Sequence, residues 1–220
     1  AYKVSTFNLS TMSGLEIPEY CGAILLPDTT LFPHGAMPLH IFEPRYQEML
    51  ADALESNCMI CVGTLIDSES SNPAHCAAQI GTIGLIRASR EQEDGRSNLL
   101  LHGILRVKFT DWLDDKSSPF AHIEPAISKG LPDSEFKAAI ANLRDAVNQA
   151  LRSFPEETQT RVNETLDRAQ GDPIILADAV AQQFIQKPSM RRQLLEELEV
   201  AKRIDFLAGY LRNATRDERN

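Results

Sequence analysis

The chain has 220 residues, 43% hydrophobic and 24% charged, which is material for one large packed domain or two small ones and speaks against wholesale disorder. Acidic residues outnumber basic ones 31 to 22, a formal net charge of -9, and this argues against a general nucleic-acid binder because phosphate neutralisation needs concentrated Lys and Arg. No apolar run approaches the ~20 residues of a membrane span, the start carries no charged-then-apolar leader, and four cysteines are too few for a disulfide scaffold. A reducing cytoplasm is the expected compartment.

Residues 1–20 show no sustained period and read as an arm. Residues 22–26 (GAILL) read as a strand, and 26–42 as a Pro-bearing segment with strand-like ends. From Glu43 to Asn57 the spacing of Tyr46, Met49, Leu50 and Leu54 predicts a helix, with Pro44 in its first turn. Residues 58–66 form a further strand, 67–76 a polar loop, and 78–90 a strand bent or bulged at its glycines. Asp94-Gly95 is a strong hairpin signal. In the run that follows, Leu99, Leu101, Leu105, Val107 and Phe109 share one parity, while His102, Arg106 and Lys108 share the wetter one. Residues 120–127 close the β-rich part, with Ala121, Ile123 and Ile127 inward.

After Gly130 the period becomes helical. Phe136, Ile140, Leu143, Val147, Leu151 and Phe154 trace one face, with Asp133 or Ser134 as cap. Ser153 and Glu156 suggest a capping box for a second helix. Gly171 stops that helix and Asp172-Pro173 starts a third, with Val180, Phe184 and Ile185 inward. Lys187-Pro188-Ser189 breaks the chain again before one or two last helices, ending near Arg212. Residues 1–127 hold 8 basic and 16 acidic side chains, residues 128–220 hold 14 and 15, so the two parts carry different surfaces. The expected division is an arm (1–20), a β-rich domain (21–128), a helical bundle (129–213) and a polar tail (214–220).

Much familiar chemistry is missing. No glycine precedes a lysine, so no phosphate-cradling loop of the Gly-Lys-Ser/Thr type exists, and GxGxxG, HExxH and GxSxG are absent too. Cys58 and Cys61 have the spacing of half a zinc or redox site, with His75-Cys76 across the loop. Strand alternation would send 58 and 61 to opposite faces, so core cysteines are the better reading. His102 and His122 would approach each other if their strands pair, yet no carboxylate or serine is spaced to complete a triad. Arg191-Arg192 and Lys202-Arg203 alternate with Glu196, Glu197, Glu199 and Asp205, as on a solvated ion-paired face. No metal or cofactor is expected.

One segment carries identity: Leu31-Phe32-Pro33-His34-Gly35, then Met37-Pro38-Leu39-His40-Ile41-Phe42-Glu43-Pro44-Arg45-Tyr46. With Gly81-Thr82-Ile83-Gly84, the Asp94-Gly95 hairpin, His102 to Val107, Asp172 to Asp178 and Leu194-Leu195-Glu196, it resembles the N-terminal substrate-binding domain family of Lon ATP-dependent proteases, in particular its stand-alone members. Glu199 stands where that family would have an aspartate before the last helix. The resemblance covers residues 22–213 and implies an α+β architecture: a small PUA-like β barrel with one helix, followed by an all-α bundle.

It also implies a receiving module without an ATPase or a Ser-Lys peptidase. The partners would be protein substrates or unfolded segments, with an ATP-dependent protease acting in trans and this chain as its adaptor. The candidate peptide-binding residues are Phe32, Leu39, Ile41, Phe42 and Tyr46, with the 67–77 loop as a lid; the plain alternative is that such residues fill the barrel. A small-ligand or RNA-binding PUA-like domain is the second reading, and a cryptic hydrolase the third.

Overall fold

The computed structural model describes residues 16–67, 69–70, 72–169 and 171–217; most of the expected N-terminal arm lies outside them. The chain divides into two compact units between Ala126 and Ile127.

The first unit contains strands β1 (Tyr20–Pro27), β2 (Ala36–Ile41), β3 (Met59–Leu65), β4 (Ile80–Glu91), β5 (Ser97–Leu113) and β6 (Phe120–Pro125), with helices α1 (Pro44–Glu55) and α2 (Pro73–Cys76). Strand β5 pairs with β4, β4 with β3, β3 with β1, β1 with β6, and β6 returns to β5, so five strands close into a barrel. Among the described strands of this unit β1 and β3 alone pair in parallel, as their connection through β2 and α1 allows. At 17 residues, β5 is long enough to carry β2 on its first half and β6 on its second.

Alternating side chains on β1 and β3 feed two cores, which is why both strands carry apolar residues on both parities. Cys21, Ala23, Met59, Cys61, Ile83, Val107, Phe109, Ala121 and Ile123 fill the barrel. Ile24, Ile60 and Val62 face the other way, under Tyr46, Met49, Leu50 and Ala53 of α1 and beside Leu99 and Leu101. Cys58 and Cys61 accordingly belong to different clusters.

The β4–β5 ladder shifts register twice, once at Ile104 and once at Arg87. A bulge residue sends the following side chains to the opposite face. The single parity expected for β5 therefore splits: Leu99 and Leu101 pack with α1, whereas Val107 and Phe109 enter the barrel. Arg106, expected on the wet face, is only 2% exposed for the same reason. Ile127 lies outside the ladder, which ends at Pro125, and is exposed rather than inward. At the far end the Asp94-Gly95 turn forms as expected, with Gly95 at φ 81°.

The segment Thr29 to Gly35 is bonded along the α1 side of the sheet. Thr64 Oγ1 donates to Thr29 O (2.9 Å), Thr82 Oγ1 to Leu31 O (2.6 Å), His34 N–H to Gly103 O (2.9 Å) and Gly103 N–H to Gly35 O (2.9 Å). Gly103 is the seat of this segment: a Cβ there would stand 2.3 Å from Phe32 O.

The second unit comprises α3 (Asp133–Leu151), α4 (Glu156–Asp167), α5 (Pro173–Phe184), α6 (Pro188–Glu196) and α7 (Val200–Asp217), with α7 packed against α3 and α5. Leu143, Val147 and Leu151 are buried as the periodicity predicts, while Phe154 is exposed beyond the end of α3. Asp172 caps α5, accepting from Ile174 N–H at 2.7 Å. Neither of the first two expected caps forms. Prolines 132 and 155 occupy the cap positions, with Asp133 and Glu156 moved into the first turns, where their charge still complements the dipole. Helix α7 continues past the expected end near Arg212 to Asp217, because Asn213 to Asp217 contains no Gly or Pro to stop it.

The expected ion-paired face is real for Lys202, whose Nζ lies 2.9 Å from Glu199, but not for its neighbours. Arg203 is 1% exposed and bonds Asp178 in the bundle interior, with Ser128 Oγ accepting at 2.9 Å. Arg191 donates to Gln182 O (3.3 Å) and Ile185 O (3.0 Å), satisfying carbonyls at the end of α5. Among the described residues no helix is long and apolar enough to cross a membrane.

Gly103→Ala should destabilise the first unit by at least ~2 kcal/mol, since backbone cannot retreat as a flexible side chain can; urea unfolding measures it. Asp178→Asn should cost about 3–5 kcal/mol by leaving Arg203 buried without its counter-charge, seen as a lower unfolding midpoint of the second unit.

Candidate functional site

The residues expected to hold a peptide separate into interior and surface. Phe32, Ile41 and Tyr46 are 0%, 3% and 7% exposed and serve the core. Leu39 is half-buried against the cluster beneath α1. Phe42, at 59%, is the most exposed of the five. Burial pushes the Tyr46 hydroxyl pKa up, with the charge of Arg45 opposing. The Arg45 guanidinium lies 4.6 Å from the centre of the Tyr46 ring and 2.8 Å from Glu43, so this pair anchors the start of α1 rather than a ligand. The expected lid is tied down at its end: Ile66 N–H donates to Cys76 O (2.7 Å), Ala78 N–H to Thr64 O (2.9 Å), and Asn72 caps α2.

What lies around Phe42 is a row on the open face of β2, β5 and β4. The ladder sets Ala36 opposite His102, Pro38 opposite Leu100 and His40 opposite Asn98, and continues from Leu100 to Ala88 and from Asn98 to Arg90. By parity across the Ile104 bulge, this is the barrel's inner face carried out beyond its mouth, a common place for ligand sites. Leu100 is 40% exposed there. His40 Nδ1 is 2.8 Å from Asn98 Oδ1, and the His40 ring stacks on Phe42 with centroids 6.0 Å apart. Phe42 is thus held outward by a bonded histidine.

Pro38, His40 and Leu100 were not among the residues nominated from sequence. The signal was present: Leu99-Leu100-Leu101 places an apolar side chain at a position that alternation reserves for a polar one.

A second concavity of about 280 Å³ lies between α1 and the start of β6, lined by Tyr20, Met49, Met59 and Phe120 with Glu48, Asp52 and Lys116. Ser117 Oγ donates to Glu48 at 2.6 Å within it.

His102 and His122 do not meet. His122 faces Thr110, Glu19 (3.3 Å) and Tyr20. His102 lies instead beside His34 and Arg87; burial first, then those two charges, lower its pKa. Burial raises the thiol pKa of Cys58, Cys61 and Cys76, most of all Cys61, so these sulfurs are poor nucleophiles near neutrality. Among the described residues no group of three or more His, Cys, Asp or Glu side chains could hold a metal.

A family model described as the ATP-dependent protease La (LON) substrate-binding domain matches residues 21–213. The chain belongs to that family. The Lon protease of Vibrio parahaemolyticus is 25% identical over 213 residues, 93% of this chain and 25% of that protein. Lon protease 1 of Syntrophobacter fumaroxidans is 26% identical over 195 residues, 86% of this chain and 23% of that protein. The chain thus spans about a quarter of the Lon proteases it matches.

Two solved structures share the fold. The N-terminal domain of Mycobacterium avium complex Lon protease superposes with a TM-score of 0.67 at 17% identity, over 87% of this chain and 97% of that one. The Lon N-terminal domain protein of Xanthomonas campestris gives 0.59 at 18%, over 87% and 98%. The architecture is α+β, and the family is one of substrate-binding domains.

Because the pKa of His102 is lowered from 6.5, the unfolded chain binds its proton more readily, so acid works against the folded state. The stability of the wild type relative to His102→Gln should fall as pH drops below 6.5 and level off below the folded-state value. Paired urea titrations between pH 5 and pH 8 would measure this.

Proposed function

We propose that this domain receives protein segments destined for an ATP-dependent protease, holding them by apolar contact on the open face of β2, β5 and β4, and performs no bond cleavage itself. The observation that carries this is Phe42: a large aromatic side chain 59% exposed, stacked on His40 and in one row with Pro38 and Leu100. Maintaining such a row in water costs about 1.5–3 kcal/mol per large side chain that burial would recover. Its position within a family of substrate-binding domains supports a protein substrate.

Contact through the face is favoured over addition of a further strand. Strand β2 ends the pairing order, but Pro38 at its middle lacks the N–H that an incoming strand would need. The receiving role is the same whether the protease is a separate protein, with this chain as adaptor, or continuous with it. Four free, buried cysteines accord with the reducing cytoplasm proposed as its compartment.

The double substitution Phe42→Ala, Leu100→Ser should weaken binding of a labelled unfolded protein by about tenfold or more, with the thermal midpoint essentially unchanged, as fluorescence anisotropy and calorimetry would report. Full retention of affinity would refute the assignment of this face.

A further inference from the structure

At one end of the apolar row three basic side chains come together. Arg87 is the extra residue of the second β4–β5 bulge, between Ile86 and Ala88, and bulges re-aim a side chain relative to its neighbours. Its Nη1 is buried without a hydrogen-bond partner among the described residues. His102 lies across the ladder from Leu85 and Ala36. His34 is fastened to the next residue of β5 through His34 N–H to Gly103 O and Gly103 N–H to Gly35 O. It holds φ at 63° although it is not glycine, a strained conformation that tends to be kept at functional positions. The charges of His34 and Arg87 both reach His102.

We propose that His34, His102 and Arg87 form a seat for the terminal carboxylate of an extended apolar peptide, so that the domain reads protein C-terminal tails. This rests on the apolar face described above and names its ligand.

The Arg87 side chain is only half-buried, and a guanidinium grips a carboxylate with two parallel N–H groups. The setting selects a single negative charge over a polyanion. Residues 1–127 hold 16 acidic side chains against 8 basic ones, which repel a phosphate chain along most of the surface. The seat lies at the Ala36 end of β2 and Phe42 just past the other end. At ~3.4 Å per residue, about 20 Å separates them. A tail of roughly six extended residues spans that distance, with its last carboxylate in the seat and an apolar side chain on Phe42.

The test uses the whole chain and a fluorescein-labelled octapeptide of Leu and Ala in three forms: free terminal carboxylate, terminal amide, and terminal amide with aspartate as the penultimate residue. The free acid should bind about tenfold more tightly than the amide. Arg87→Gln should bring the acid down to the amide's affinity while leaving the amide unaffected. His34→Gly, which relieves the backbone strain while removing the imidazole, should reduce the preference with no loss of thermal midpoint. Phe42→Ala should weaken acid and amide alike.

Equal binding of acid and amide by the wild type, both weakened by Phe42→Ala, overturns the carboxylate seat and leaves the apolar face standing. Binding of neither peptide overturns both. Full recovery of affinity by the internal aspartate shows that the seat reads acidic side chains instead of chain ends. Tighter binding of oligouridylate, lost in Arg87→Gln, makes the site one for nucleic acid.

Discussion

Two extra residues in one strand pair organise the first unit. Ile104 on β5 and Arg87 on β4 each insert a step into an otherwise regular antiparallel ladder, and each changes which side chains share a face. The first insertion lets one continuous strand serve two cores, sending Leu99 and Leu101 beneath α1 and Val107 and Phe109 into the barrel. The same change of parity carries Arg106 into the interior, while Leu100 stays on the open side that alternation assigns it. Without it the strand would keep one wet and one dry face throughout, and could not serve both cores.

The conspicuous Leu-Phe-Pro-His-Gly segment is chiefly a structural clamp. Leu31 and Phe32 are fully buried, and the backbone from Thr29 to Gly35 bonds to β3, β4 and β5. Gly103 is the receiving surface, because only a residue without Cβ admits Phe32 O so closely. What the clamp presents is His34 beside His102, and β2 laid along β5.

The second unit depends on a different device. Its helices bury a stripe of Leu, Val, Ile and Ala, and in the middle of that stripe sits the Asp178–Arg203 pair with Ser128. Burying two charges is expensive unless each completes the other, so the pair gives α5 and α7 a fixed mutual register more than it adds stability. Arg191 works similarly at smaller scale, closing the end of α5 through carbonyls that would otherwise lack donors.

The amino-acid sequence by itself determined the order and type of the main elements. Period-two and period-3.6 apolar spacing, Asp94-Gly95, Asp172-Pro173 and Pro44 are local signals, because each acts through neighbours within a few positions. The family likeness was legible for the same reason, as a set of ordered short motifs. Tertiary structure alone decided where parity changes, that Arg106 and Arg203 lie inside, that Phe32, Ile41 and Tyr46 fill cores while Phe42 stands out, and that His102 neighbours His34 and Arg87 rather than His122. Those outcomes depend on ladder register and on partners distant along the chain. The glycines of residues 78–90 announced an irregularity, and a register shift does fall at Gly84, but neither composition nor spacing says which residue is the extra one, and so which later side chains change face.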